Sequence, residues 1–138
     1  MFQRILVAVD GSEHSLRAAD YAIKLVSGKE KEIDIIYVIS GTTSKSDVLN
    51  NRSKIEISGS RKSMLKKYEE KFFANKVKCD VHVLHGEPGP TIVDFANKGE
   101  YDCMVLGSRG LNKLQSLVLG SVSHKVAKYT VCPVLIIK

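Results

Sequence analysis

Short apolar runs alternate with segments of helical periodicity along the 138 residues of this chain. The first run, Ile5–Val9, has no polar residue and ends at Asp10-Gly11, which is typical of a strand buried on both faces of a parallel sheet. Further strands are predicted at residues 33–39, 77–84, 103–106 and 134–137. The alternation of strands and helices predicts a single doubly wound α/β domain, residues 1–138, with helices on both faces of a five-stranded parallel sheet.

Four helices are predicted between these strands. Ser12 is a candidate N-cap for the first helix, and Gly28 is placed to end it. The other helices are predicted at residues 52–74, 91–97 and 121–129. The last of them carries Val126 and Tyr129 on its apolar face. The third strand alternates apolar and polar residues, so we expect it at an edge of the sheet, and the polar residues 40–51 predict a long loop.

The net charge of +6 is concentrated between Arg52 and Lys78, where nine Lys or Arg residues face three Glu residues and account for the whole excess. Such a helix face is usually solvated, but it is also where an acidic partner, an acidic lipid or RNA would bind. The aromatic residues do not interleave with the basic ones in a nucleic-acid-binding pattern, and this disfavours nucleic acid.

The cysteines indicate a reducing compartment. Cys79, Cys103 and Cys132 are odd in number, far apart and close to apolar runs, as expected of core residues rather than of a disulfide framework. No basic-then-apolar leader precedes the first strand, and Ile5–Val9 is too short to cross a bilayer. We therefore expect a cytoplasmic protein without a membrane partner.

The fourth predicted strand leads into a glycine-rich loop and then into a helix. Two residues separate Gly107 from Gly110, and nine more precede Gly120. This order of elements presents backbone N–H groups to a phosphate at a helix N-terminus. It is not a Walker sequence, because no Lys-Ser or Lys-Thr follows the last glycine. If strands one and four are neighbours, Asp10 and Gly107 meet where ligands of doubly wound sheets bind.

Three stretches in this order resemble the universal stress protein family over almost the whole chain. They are the opening Ile5–Ser12, the glycine spacing of residues 107–121 and the closing Cys132–Ile137. The resemblance implies a homodimeric, Rossmann-like domain of the adenine nucleotide alpha hydrolase-like type, with strand order 3-2-1-4-5. Family members divide into ATP binders and non-binders, and the glycine spacing found here marks the binders.

Carried over by position, the resemblance implies an ATP site. The carboxylate of Asp10 would hydrogen-bond the ribose, Ala8 and Val38 would border the adenine, and the turn after strand four would hold the phosphates together with the start of the last helix. The implied binding residues are Ala8, Val9, Asp10, Val38, Gly107, Ser108, Arg109, Gly110, Gly120, Ser121, Val122 and Ser123. Arg109 occupies a variable position of the motif, so its expected contact with the phosphates rests on its charge and not on the resemblance. Arg109 and Lys113 are cations that either contact the outer phosphates or are solvated. Mg²⁺ or Mn²⁺ would arrive with the nucleotide.

Other interpretations remain open at this point. Asp10 is also the kind of residue that stabilises a turn before a helix. The histidines and cysteines show no metal-ligand spacing, so we expect no protein metal site. Our leading hypothesis is an ATP-binding regulatory switch with little or no turnover, dimerising through edge strand 134–137. The alternatives are a slow ATPase or nucleotidyl-transfer enzyme, and an interaction module that binds an acidic partner or RNA through residues 52–78.

Overall fold

The computed structural model describes residues 2–41, 54–109 and 120–138, with the backbone alone for residues 54–58. The strands are β1 (Arg4–Ala8), β2 (Glu32–Ile39), β3 (Lys78–His85), β4 (Cys103–Gly107) and β5 (Val134–Ile137). The helices of the described residues are α1 (Glu13–Leu25), α2 (Lys54–Ala74), α3 (Pro88–Lys98) and α4 (Ser121–Tyr129). The strands form one parallel sheet in the order β3-β2-β1-β4-β5. The doubly wound α/β fold, its strand order and the edge position of the third strand are therefore confirmed.

Two apolar cores cover the two faces of the sheet. On the first, which we call the α1–α2 face, Ala18 and Ala19 of α1 pack with Tyr68 and Phe72 of α2. On the second, the α3–α4 face, the core residues from the helices are Ile92, Ala96 and Val126. Because β1 lies at the centre of the sheet between these cores, its apolar residues are buried.

The first helix begins as the sequence predicts. The Ser12 hydroxyl oxygen accepts a hydrogen bond from the Ser15 N–H at 3.2 Å, the usual role of a serine N-cap. The Ser15 hydroxyl in turn lies 2.6 Å from the hydroxyl of Tyr68, which links α1 to α2 in the buried interior. Helix α1 ends before Gly28, because Val26 is extended and forms a bridge with Phe2.

Two predictions about the other helices were wrong. Helix α3 begins at Pro88 rather than at residue 91. A proline is tolerated in the first turn of a helix, because the N–H that it lacks would have no acceptor within the helix. Tyr129 was predicted on the apolar face of α4 but is 57% exposed, because it is the last residue of the helix and its ring has the Lys128 ammonium 5.3 Å from its centre. Most of the predicted loop, residues 42–51, lies outside the described residues.

The membrane prediction concerns helices. Among the ranges that the structure describes, no helix combines the length and the apolar character needed to cross a bilayer.

The three cysteines are free, as expected of core residues. Burial, with the negative charges of Glu69 and Asp34 nearby, raises the pKa of the Cys79 thiol to about 12. Burial likewise raises the pKa of Cys103 and of Cys132. Since the thiolate is the reactive form, all three cysteines are held in the unreactive state at neutral pH.

We therefore expect iodoacetamide to modify Cys79 far more slowly in the native protein than in urea, at about pH 8 and still at about pH 9, because a raised pKa keeps the thiol protonated over this range. Mass spectrometry of samples quenched over time measures the rate. Equal rates in native and unfolded protein would contradict the prediction.

Candidate functional site

The predicted site lies where the central strands end. Strand β1 pairs with β4, and Val7 lies opposite Val105. The chain therefore leaves β1 towards Asp10 beside the point where β4 ends at Gly107, as predicted. Since all five strands are parallel, their carboxyl ends share this edge of the sheet, which is where doubly wound folds bind ligands.

Asp10 has the turn role that the sequence left open. Its carboxylate Oδ1 accepts a hydrogen bond from the Ser12 N–H at 2.9 Å, and its own N–H donates to the Ser15 hydroxyl at 3.4 Å. A carboxylate accepts about four hydrogen bonds in total. The turn therefore fixes the orientation of Asp10 and is compatible with a further bond to a ribose hydroxyl.

The two residues predicted to border the adenine lie on one face of the sheet, and Val9, another predicted binding residue, lies on the other. Ala8 and Val38 both lie on the α3–α4 face, with Leu106 in the same core. They form an apolar edge of the kind that accepts a planar ring. The side chain of Val9 instead packs in the core of the α1–α2 face, and its N–H donates to the Ile36 carbonyl at 3.0 Å. The structure thus groups Ala8 with Val38 and directs Val9 away from them.

Two hydrogen bonds tie the start of α4 to the end of β4. The Ser123 hydroxyl, which is buried, donates to the Gly107 carbonyl at 2.7 Å. The Gly120 N–H donates to the Ser108 carbonyl at 3.0 Å. Ser108 also donates its own N–H to the Ile137 carbonyl of β5 at 2.7 Å. Residues 107–109 and 120–123 therefore form one connected unit; Gly110 and Lys113 lie outside the described residues.

The N-terminus of α4 has the electrostatics of an anion site. Gly120 is its N-cap and supplies no side-chain cap, and the first turn has no acidic residue. The first backbone hydrogen bond runs from the His124 N–H to the Gly120 carbonyl at 2.9 Å. The N–H groups of the three residues between them have no acceptor within the helix. Together with the helix dipole they provide partial positive charge where a phosphate would be stabilised.

Gly107 has a packing role that the sequence did not reveal. A Cβ built on it would lie 2.6 Å from the Cβ of His14 and 3.0 Å from the His14 carbonyl carbon. The absence of a side chain therefore lets the first turn of α1 approach β4 closely. The contribution of Gly107 to a phosphate site stays a prediction.

Gly120 is less crowded. A Cβ there would lie 3.3 Å from the Ser108 carbonyl oxygen and 3.8 Å from the Cα of Arg109. The nearest atoms at Gly120 thus belong to the loop itself, whereas the two nearest atoms at Gly107 belong to α1. The sequence around His14 contains no motif that predicts its contact with this loop.

Comparison with known proteins identifies the family. The model of the universal stress protein family matches residues 1–138. Universal stress protein YxiE of Bacillus subtilis is 31% identical, with all of both chains covered. Universal stress protein MJ0531 of Methanocaldococcus jannaschii is 32% identical over all of this chain and 83% of its own length.

Solved structures share the fold. The structure of hypothetical protein MJ0577 matches with a TM-score of 0.86 at 27% identity, covering 100% of this chain and 96% of that one. A universal stress protein in complex with cAMP matches with a TM-score of 0.70 at 23% identity, covering 99% and 97%. The Arabidopsis thaliana family protein At3g01520, solved with AMP bound, has a TM-score of 0.70 at 22% identity and coverages of 99% and 91%.

Proposed function

Because the chain belongs to the universal stress protein family, we propose that it binds ATP at the carboxyl ends of β1 and β4 and acts as a nucleotide-dependent homodimeric switch in the stress response. One observation carries the proposal. The N-terminus of α4, whose N-cap Gly120 has no side chain, is tied by the Ser123 hydroxyl to Gly107, beside the turn of Asp10. Phosphates, ribose and base then each have a chemically matched neighbour within one edge of the sheet.

The phosphates would lie on residues 107–110 and on the N–H groups of residues 121–123, with Mg²⁺ or Mn²⁺ held by the phosphates. The ribose would bond to Asp10, and the adenine would lie against Ala8 and Val38. Support for an adenine nucleotide as the ligand class comes from the relatives solved with cAMP and with AMP. We propose binding with little or no turnover, in the cytoplasm.

Calorimetric titration of nucleotide-free protein tests the proposal. We expect saturable heat with Mg-ATP and a weaker response with adenosine, which lacks the phosphates that the α4 N-terminus would stabilise. A parallel assay for ADP release should show no more product than a protein-free control. Absence of binding at millimolar Mg-ATP would overturn the nucleotide assignment, and rapid ADP release would favour an enzyme.

The dimer contact proposed for strand β5 follows from its position. It is an edge of the sheet, and its apolar side chains apart from Ile137 are only half-buried. On the side of β5 that faces β4, the carbonyl of Pro133 accepts a hydrogen bond from the Met104 N–H. The carbonyl of Ile137 accepts one from the Ser108 N–H. Because bonding direction alternates along a strand, the N–H groups of Val134 and of Ile136 point outward, where a second copy would pair with them.

Val134→Pro is therefore expected to give a folded monomer, because proline removes an outward N–H and leaves the bonds to β4 in place. Light scattering coupled to size exclusion measures the mass, and circular dichroism checks the fold. The matched control Val134→Ala keeps the N–H and should remain a dimer. A monomeric parent protein at high concentration, or a dimeric Val134→Pro variant, would contradict the edge-strand dimer.

A further inference from the structure

A cluster of three carboxylates lies far from the nucleotide site, near the amino ends of β2 and β3. Glu32, Asp34 and Asp80 each present an oxygen, and these oxygens all lie within 4.8 Å of one another. Asp34 is directly opposite Asp80 in the β2–β3 register, and Glu32 shares its face of the sheet two residues earlier. Four residues, or about 13 Å of strand, separate Asp34 from Val38.

Asp34 is the buried member of this carboxylate cluster, with a side chain only 2% exposed. Its Oδ2 accepts a hydrogen bond from the Tyr101 hydroxyl at 2.7 Å. Burial and this hydrogen bond to Asp34 raise the pKa of Tyr101, so its hydroxyl remains a donor at neutral pH. The other oxygen, Oδ1, is buried and has no hydrogen-bond partner among the described residues. A buried acceptor left unpaired destabilises the folded state, so the carboxylate of Asp34 has capacity for a further partner.

The cations nearby do not neutralise the carboxylate cluster. The guanidinium of Arg4 lies 3.5 Å from Asp34 Oδ2 and 3.7 Å from Glu32 Oε1, both longer than the roughly 2.7–2.9 Å of a strong charge-assisted bond. His82 Nε2, 3.4 Å from Asp34 Oδ2, forms no hydrogen bond with the described groups. Lys78, beside Glu32 in the register, forms none of the ion pairs found in the described ranges. One guanidinium against three carboxylates leaves two formal negative charges.

We propose that Glu32, Asp34 and Asp80 bind a divalent cation, with the carboxylate of Asp34 as the buried ligand, the other two carboxylates beside it, and water completing the shell. A set of oxygen ligands suits Ca²⁺ or Mg²⁺ rather than Zn²⁺. Ca²⁺ accepts about six to eight oxygen ligands in a flexible geometry, whereas Mg²⁺ needs a near-ideal octahedron and is usually held by one or two carboxylates. Three carboxylates from two strands therefore favour Ca²⁺.

Binding at this place would join the edge strand β3 to β2, since Asp80 comes from one and the other two ligands come from the other. A ligand that binds only the folded state raises its stability by mass action. The consequence is a Ca²⁺-dependent increase in thermal stability that needs no nucleotide.

The test uses nucleotide-free, chelator-treated protein titrated with CaCl₂ and, separately, with MgCl₂, followed by thermal unfolding. Tb³⁺ serves as a luminescent probe of the same ligands, because tyrosine sensitises it, the chain has no Trp, and Tyr101 contacts Asp34. We expect a higher unfolding temperature with Ca²⁺ than with Mg²⁺, and a Tb³⁺ signal that Ca²⁺ displaces and that Tyr101→Phe weakens.

Asp80→Asn removes an exposed ligand without disturbing the core, and it should weaken Ca²⁺ binding by about tenfold or more, since affinity follows the number of charged ligands. Asp34→Asn should abolish it. The matched control is Asp94→Asn, an exposed acid on α3 that pairs with Lys98 and loses the same charge; its Ca²⁺ response should equal that of the parent protein.

A parent protein that shows neither Ca²⁺-dependent stabilisation nor Tb³⁺ luminescence would overturn the site. An equal loss in Asp94→Asn and Asp80→Asn would also overturn it, because it would indicate general surface charge. Tighter Mg²⁺ than Ca²⁺ binding would overturn the choice of ion. Since no nucleotide is present, none of these results bears on the ATP proposal.

Discussion

Replacing Gly107 with alanine is expected to lower the free energy of unfolding by about 1–3 kcal/mol, the usual cost of adding volume to a packed region. The added Cβ would lie 2.6 Å from the Cβ of His14 and 3.0 Å from its carbonyl carbon. Neither atom is the end of a flexible side chain, so the first turn of α1 has to move away from β4. Because that turn carries Ser12 and the hydrogen-bonded Asp10, we also expect weaker nucleotide binding.

Urea unfolding followed by circular dichroism measures the loss of stability. The matched control is Gly59→Ala in α2, the same chemical change at a site where a Cβ would meet no atom of the described residues within 4 Å. This control should gain about 0.5–1 kcal/mol from the better helix propensity of alanine. A Gly107→Ala protein as stable as its parent would show that α1 is free to shift and would contradict the packing role.

The contrast between these glycines shows where sequence reasoning succeeds. Apolar runs and helical periodicity predict the order of elements along the chain, and the carboxyl ends of parallel strands share one edge. The meeting of Asp10 with Gly107 also required strands one and four to be neighbours, and that strand order came from the family resemblance. The residue that occupies the space beside Gly107 is determined by how α1 packs against β4. Nothing in the local sequence indicated that His14 would be that neighbour.

Asp34 shows the same limit. It interrupts the apolar run of the second strand, but the strand is predicted correctly without any explanation of why a carboxylate lies there. Its partners Arg4, His82 and Tyr101 come from three other parts of the chain, and only the sheet order brings them together. Similarly, the sequence indicates that successive residues of a strand face opposite sides of the sheet. It does not indicate which side Val9 faces, because this depends on where β1 ends; the structure places Val9 in the core of the α1–α2 face.

Gly120→Val is expected to lower the affinity for Mg-ATP by about 100-fold, or about 2.7 kcal/mol, while the protein stays folded. A Cβ at Gly120 would lie 3.3 Å from the Ser108 carbonyl oxygen, the group that accepts the Gly120 N–H. The branched valine would therefore separate the N-terminus of α4 from the loop after β4. The φ of −58° at Gly120 is accessible to valine, and its neighbours are loop rather than core, so the stability cost should be smaller than at Gly107.

Calorimetry with ATP and with adenosine distinguishes the possible causes of a loss. If Gly120 serves the phosphates, Gly120→Val should lose ATP affinity and keep the weak adenosine affinity of the parent, because Ala8 and Val38 are unchanged. Gly107→Ala should reduce both, since it moves the turn that carries the ribose-binding carboxylate. Normal ATP binding by Gly120→Val would place the phosphates elsewhere. An equal loss of adenosine would mean that the helix supports the whole site rather than the phosphate end.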